Sequence, residues 1–354
     1  MAATKALNLV FLMFDDMRPE LSIYKQNHMI TPNFERLASK SVVFDKAFAQ
    51  ISVCNPSRDS ILTGLRPDTT GTYSFQSSYR PHLSLPMHLV RSNYQTATYG
   101  KIFHWEIDDK TVWNVEMYDN KWYEYQNNER GWMNSSTMPD KIRLVSEFND
   151  YDFTTKAIDR LEKFLADKSK PFMISLGFKY PHLQYHVPYK YYEMYLNRTS
   201  SWRLSKKELR FPLSAPDVGY RCCAEPFYKY MIAEGSVNNP EEIGMGDINM
   251  PFTDRMRDEL MLGYCAAITF VDKQLGRILD VMDANSAWDN TVVVATSDHG
   301  HHNGEKGIWY VQNFAYVYFW AFHHLTYLLT FLSFYYIYLG KNGVSLTSLV
   351  GSHC

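Results

Sequence analysis

Leu7-Asn8-Leu9-Val10-Phe11-Leu12-Met13-Phe14-Asp15-Asp16 sets the architecture of the chain. An apolar run of this length, closed by two carboxylates, is the pattern of a strand buried on both faces with polar groups at its C-terminal tip. The pattern recurs twice. Thr291-Val292-Val293-Val294-Ala295-Thr296 ends in Ser297-Asp298-His299-Gly300, and residues 171–178 lead to Tyr180-Pro181-His182. Helical periods lie between: Ala157, Ile158, Leu161, Phe164 and Leu165 follow the candidate caps Thr154 and Thr155, and Leu260, Tyr264, Phe270, Val271, Leu275, Ile278 and Leu279 form a second stripe. Strands alternating with helices predict an α/β fold with a mostly parallel central sheet flanked by helices. Such sheets bind ligands beyond the carboxyl ends of their strands, so the three polar clusters are expected to converge.

With 354 residues, 45% hydrophobic and 16% aromatic, the chain has enough apolar material for one large α/β domain or two smaller ones. A formal net charge of -2 leaves no general basic surface, so nucleic acid is not expected as the main partner. The five cysteines, Cys54, Cys222, Cys223, Cys265 and Cys354, are too scattered for a disulfide scaffold and form no C-x-x-C pair. Sequons at Asn134 and Asn197 permit glycosylation of a secreted chain. The residues before Leu7 hold no apolar stretch, so a signal peptide is expected to be absent as written. Residues 108–149 and 185–247 have weak periodicity and read as long excursions of the kind that shape substrate pockets.

Burying Asp15, Asp16 and Asp298 together is costly unless a cation neutralises them, and hard oxygen ligands favour calcium or magnesium. Elsewhere the chain reads Cys54-Asn55-Pro56-Ser57-Arg58, followed by Leu62-Thr63-Gly64. Taken alone, Cys54 reads equally as a small buried thiol in a proline-interrupted loop. Taken together, the segment matches the signature C-x-P-S-R-x-x-x-L-T-G at every fixed position, and the chain resembles the type I sulfatases. The resemblance runs from about Leu7 to about Trp309. It is most marked toward the iduronate-2-sulfatase branch, through FDDMRPEL, TPNFERLA, CNPSR, GKIFH, YPH and SDHG.

That resemblance implies an alkaline-phosphatase-like sulfatase sandwich and a hydrolase of sulfate esters. It implies that a formylglycine-generating enzyme oxidises Cys54 to an aldehyde. Hydrated, the aldehyde offers two hydroxyls on one carbon: one attacks sulfur, and the other later loses its proton and expels sulfate, where a serine would stay trapped as an ester. Asp15, Asp16, residue 54, Asp298 and His299 would bind one Ca2+. Residues 94–101 (YQTATYGK) resemble the second signature G-Y-x-T-x-x-x-G-K, with Asn93 in place of its first glycine. Lys101 is thereby expected on the sulfate, His104 as acceptor of the proton during sulfate release, His182 as acid for the leaving alcohol, and Arg58 as the group holding the hydrate. The implied substrate is a sulfated carbohydrate, 2-O-sulfated uronate of a glycosaminoglycan, in a lysosomal or secreted full-length protein. Two rivals stay open: a metal-dependent phosphodiesterase or phosphonate hydrolase of the same superfamily, and a non-catalytic calcium-binding relative.

The resemblance stops after Val311, which stands where the family carries a further sulfate-gripping lysine; Lys306 lies several positions too early to replace it. Residues 1–310 are therefore read as the sulfatase domain, with the small C-terminal subdomain of the family missing. Residues 311–354 are read as an atypical aromatic-rich tail, uncharged from Val311 to Gly340. A membrane segment and extra core compete for this tail with the favoured reading, translated non-coding sequence. Without that lysine the chain as written is expected to be weak or inactive.

Overall fold

The computed structural model describes residues 6–75, 82–104, 108–118, 148–183, 185, 187–198, 254–305, 309–310, 332–333 and 335–338. The described strands are β1 (Asn8–Phe14), β2 (Val42–Val43), β3 (Ala47–Phe48), β4 (Gln95–Gly100), β5 (Glu116–Tyr118), β6 (Phe172–Phe178), β7 (Thr291–Ser297), β8 (His302–Asn303), β9 (Trp309–Tyr310), β10 (Leu332–Ser333) and β11 (Tyr335–Tyr338). The helices are α1 (Pro32–Ala38), α2 (Cys54–Thr63), α3 (Pro67–Thr70), α4 (Leu85–Arg91), α5 (Asn149–Ala166), α6 (Tyr189–Glu193) and α7 (Asp254–Ala284).

A seven-stranded sheet has the order β2-β11-β7-β1-β6-β4-β5. β1 runs parallel to both β6 and β7, and β4 runs parallel to β6 and β5. β11 is antiparallel to both its neighbours, β7 and β2. The three apolar runs thus become three adjacent central strands, and β1 and β6 are buried at every position. Alternation along β1 divides the core between the two faces, as the period of two requires. Val10, Leu12 and Phe14 pack with Phe34 of α1, Leu161 and Phe164 of α5 and Phe270 and Leu275 of α7. Leu9, Phe11 and Met13 pack with Leu62 of α2 and Leu89 of α4.

The helix α5 starts at Asn149, so Thr154 and Thr155 do not cap it. They lie inside it and return their hydroxyls to the carbonyls of Asp150 and Tyr151, at 2.9 Å for the second. Periodicity located the helix but not its start, because its first turn is held from outside: the Asp150 carboxylate accepts the Lys179 and Tyr180 amides, each at 3.1 Å. The first excursion contributes the edge strand β5, whose Glu116 accepts from the Tyr99 hydroxyl at 2.6 Å and Arg160 at 2.7 Å. Its remainder at 119–147, most of the second excursion at 199–247, and Lys306, Val311, Asn134, Cys222, Cys223 and Cys354 lie outside the described residues. So does the tail, apart from β10 on β3 and β11 in the main sheet. No described helix is long and apolar enough to cross a membrane.

Register places the functional segments at one edge. Phe14 is opposite Phe178 and Ser297, and Gly100 is opposite Gly177. Everything that follows β1, β4, β6 and β7 therefore leaves the sheet on the same side. Two glycines permit the closest crossing there: a Cβ on Gly177 would fall 1.8 Å from the Lys101 carbonyl oxygen, and one on Gly100, at φ +72°, would fall 2.3 Å from the Gly177 oxygen. On the helical side, Thr31 offers no side-chain cap to α1, and Asp272 of α7 does so instead, accepting from the Asn33 and Phe34 amides at 3.0 and 2.8 Å. Asp272→Ala should cost about 1–3 kcal/mol, because buried amides lose their acceptor. Gly177→Ala should lower the urea midpoint further still; the reverse order in chemical unfolding would show that the strand ends have room to spare.

Candidate active site

Beyond β1 the ladder continues for one residue, with the Asp15 amide donating to the Phe178 carbonyl at 3.1 Å. The chain then turns at Asp16, whose φ of 62° lies in the left-handed region that a short polar side chain tolerates. Surrounding elements over-determine that conformation. The Asp16 amide donates to Asp298 Oδ1 at 3.1 Å, the Met17 amide to Ser297 Oγ at 3.0 Å, and the Tyr264 hydroxyl to the Asp16 carbonyl at 2.9 Å. A straight strand would send adjacent side chains to opposite faces. Here Asp15, Asp16 and Asp298 each bring an oxygen within 4.8 Å of the others.

The helix α2 begins at Cys54 and ends at Gly64, whose φ of 72° and amide bond to the Ser60 carbonyl make a left-handed C-cap. The sequence signature therefore divides by task. Leu62 enters the core and Gly64 stops the helix, while Cys54, Ser57 and Arg58 face the carboxylates. Arg58 has no exposed side-chain surface; it donates to Asp298 Oδ2 at 2.9 Å, to Asp15 Oδ1 at 2.8 Å and to the carbonyls of Lys101 and Ile102. Lys101 Nζ donates to Asp15 Oδ2 at 2.6 Å, and the Ser57 hydroxyl donates to the Asp298 carbonyl. Burial alone would raise the Asp15 carboxyl, but the Lys101 and Arg58 charges override it and hold the group well below its ordinary value. Burial likewise opposes the Lys101 ammonium, yet Asp15 raises its pKa overall.

Cys54 Sγ lies 3.3 Å from His299 Nε2 and 3.9 Å from Asp16 Oδ1. The other ring nitrogen, His299 Nδ1, is 3.0 Å from the Gly300 carbonyl. A carbonyl only accepts, so Nδ1 carries a proton, and Nε2 faces Cys54, Asp16 and Asp298. His182 is arranged similarly, with Nδ1 2.6 Å from the Leu183 carbonyl and Nε2 3.8 Å from Asp16 Oδ2. Burial, then the Asp15 charge, pushes the Cys54 thiol well above its ordinary value. A neutral thiol is a poor nucleophile, so the unmodified sulfur is not set up to attack. His104 is pushed down to about 3 by burial and by the Lys101 and Arg58 charges, which keeps it neutral at physiological pH with a lone pair to offer.

All the sequence-predicted ligands, Asp15, Asp16, Cys54, Asp298 and His299, thus meet in one buried cluster, with Arg58 and Lys101 inside it and His182 at its edge. His104 stands close enough for the charges of Lys101, Arg58 and Asp15 to act on it. Three buried carboxylates and an imidazole nitrogen fit a hard divalent cation. Sequence reasoning missed the supports. Asp150 fixes the turn that carries His182 through its two amide bonds. Arg18 pairs with Glu305 at 2.5 Å and Glu20 at 3.1 Å, and Glu305 accepts the Asn303 amide at 2.9 Å, joining the segments after Asp16 and His299. Opposite charges flanking the two acidic clusters, Arg18 in FDDMRPEL and Glu305 after SDHG, were the available signal.

Sheet, helices and this edge cluster together define an alkaline-phosphatase-like architecture. Residues 7–327 match the sulfatase family, and the chain belongs to it. It is 31% identical to iduronate 2-sulfatase of Mus musculus and 30% identical to that of Homo sapiens, over 87% of this chain in each case. The chain spans 57% of the length of those relatives. Among solved structures, it superposes at TM-score 0.67 and 21% identity on a protein in complex with its substrate D-glucosamine-2-N,6-O-disulfate, covering 95% of this chain and 72% of that one. It also superposes at 0.65 and 16% on a phosphonate monoester hydrolase from Silicibacter pomeroyi, covering 94% and 68%.

Burial would raise the Glu305 carboxyl, but Arg18 outweighs it and depresses the pKa from 4.5 to about 2. The folded value lies below the unfolded one, so the pair's stabilisation is complete above pH 4.5 and is lost as pH falls through about 2. Glu305→Gln should flatten that acid limb of a stability-versus-pH curve; an unchanged limb in thermal melts would show that the pair contributes nothing.

Proposed function

We propose that the chain provides the catalytic domain of a sulfuric ester hydrolase acting on a sulfated sugar, with 2-O-sulfated uronate of a glycosaminoglycan as its substrate. The observation that carries the reading is the position of residue 54 at the head of α2, 3.3 Å from His299 Nε2 and 3.9 Å from an Asp16 carboxylate oxygen. Similarity to iduronate 2-sulfatases, and the sulfated sugar bound by the neighbour described above, support the substrate class. Residues 1–310 are assigned to the catalytic domain and 311–354 to a tail that lends β10 and β11 to its sheets. The lysosome or the cell exterior is the proposed compartment.

In this reading a formylglycine-generating enzyme converts Cys54 to the aldehyde, which resolves the poor nucleophilicity of the buried thiol. Asp15, Asp16, Asp298, His299 and the residue-54 oxygen would hold Ca2+, which when bound neutralises the carboxylates and draws charge from the sulfate. Arg58 and Lys101 add fixed positive charge at the reacting anion. One hydroxyl of the hydrate gives its proton to the Asp16 carboxylate beside residue 54 and attacks sulfur, and the ester S–O bond breaks, with His182 donating a proton to the departing alcohol. The second hydroxyl then gives its proton to His104; the carbonyl re-forms and expels sulfate.

Mass spectrometry of the Cys54 peptide, after coexpression with the formylglycine-generating enzyme, should find the aldehyde. An unmodified thiol would instead assign the chain to the non-catalytic calcium binders. Paired assays on a 2-O-sulfated uronate disaccharide and a phosphonate monoester should favour the sulfate; faster phosphonate turnover would move the assignment to phosphonate hydrolysis. Calcium at 100 times its Kd should stabilise the fold by about 2.7 kcal/mol. Asp16→Asn and Asp298→Asn should abolish that gain in calorimetry, and a gain retained by both variants would place the ion elsewhere.

A further inference from the structure

Residues 71–75 lie against α2 and take no part in the chemistry above. Two bonds fasten them there. The Thr72 hydroxyl donates to Asp59 Oδ2 at 2.7 Å, and the Asn55 side chain, one residue beyond Cys54, donates to the Ser74 carbonyl at 2.7 Å. Between and beyond these anchors the alternate residues turn outward, leaving Tyr73 47% and Phe75 43% exposed. The Phe75 ring lies 5.0 Å from the His104 ring, tilted by 46°. A single exposed apolar side chain needs no explanation, but two on a strip fastened to the catalytic helix beside a buried charged site mark a binding surface.

The chemistry of the neighbourhood identifies what such a surface takes. Arg58, Lys101, His182 and His104 all serve the anion or its leaving oxygen, and none is suited to the carbon skeleton that carries it. A pyranose ring presents a face of C–H bonds, and aromatic side chains supply both apolar area and the negative π-face that such hydrogens seek. Because Phe75 rests on His104, an aromatic face stands directly beside a group assigned to the sulfate. We infer that Phe75, with Tyr73 beside it, is the platform on which the sugar ring bearing the sulfate packs, so that it selects sulfated sugars over bare sulfate. This rests on the sulfate ester reading of the central site.

Titration calorimetry on the full chain with Ca2+ tests it, using inorganic sulfate and a 2-O-sulfated uronate disaccharide as probes. Phe75→Ala should weaken the disaccharide about tenfold and leave inorganic sulfate unchanged. Phe75→Tyr, which keeps the ring, should restore the disaccharide to within about twofold of the parent. Since Phe75 is exposed, an unchanged melting temperature is expected for both variants. If sulfate binds and Phe75→Ala holds the disaccharide as tightly as the parent, the platform is overturned and the sulfate site stands. If the parent binds neither probe, the sulfate ester reading fails and the platform falls with it.

Discussion

The Arg58 guanidinium, sealed from solvent between Asp15 and Asp298, is the constraint on which the site depends. Its two carboxylate partners come from the ends of β1 and β7, and its own backbone belongs to α2, so one planar cation locks three elements at a single point. Such an ion pair is poor evidence for net stability, because desolvation of each charge costs several kcal/mol. Its value is geometric. The guanidinium, with one N–H to each, fixes where two carboxylates stand, and Lys101 on the far oxygen of Asp15 fixes the third direction. The residual negative charge of the acidic cluster then falls toward Asp16, His299 and residue 54.

The helix end reinforces the arrangement. The α2 N-terminus opens directly into the cluster, and the helix dipole favours negative charge there. A thiol placed at a helix N-terminus is ordinarily acidified, yet Cys54 moves the other way. Three carboxylates and complete burial outweigh the dipole. The same surroundings that make the sulfur inert would suit a hydroxylated carbon, which needs no negative charge until an electrophile arrives.

Much of this was legible in the sequence because local chemistry and global topology agreed. Uninterrupted apolar runs ending in Asp15-Asp16, Ser297-Asp298 and Tyr180-Pro181-His182 announced buried parallel strands, and parallel register forces their tips to one edge. What stayed hidden depends on contacts between segments far apart in the chain. Asp150 is an ordinary first-turn acid until the amides of Lys179 and Tyr180 arrive, and the start of α5 followed from that contact rather than from Thr154 or Thr155. Asp272 caps a helix some 240 positions away, a pairing no periodicity encodes. The brief β5 escaped notice because an edge strand buries little and so carries no apolar pattern. The family signature, in turn, said that Leu62-Thr63-Gly64 belongs with the catalytic residues without revealing why. Only the fold shows it as helix anchor and stop.

The insertion of β11 between β7 and β2 has a consequence of a different kind. Parallel neighbours reach each other only through long crossovers, but an antiparallel newcomer asks little of the segment that delivers it. It asks for four extended residues whose amides and carbonyls can be matched. Any polypeptide joined after β9 that extends there without proline could seal the flank of β7, whereas one that cannot would leave a bare backbone rim open to another chain. At this margin the sheet asks for extended backbone, where the edge that gathers Asp15, Asp16 and Asp298 asks for particular side chains.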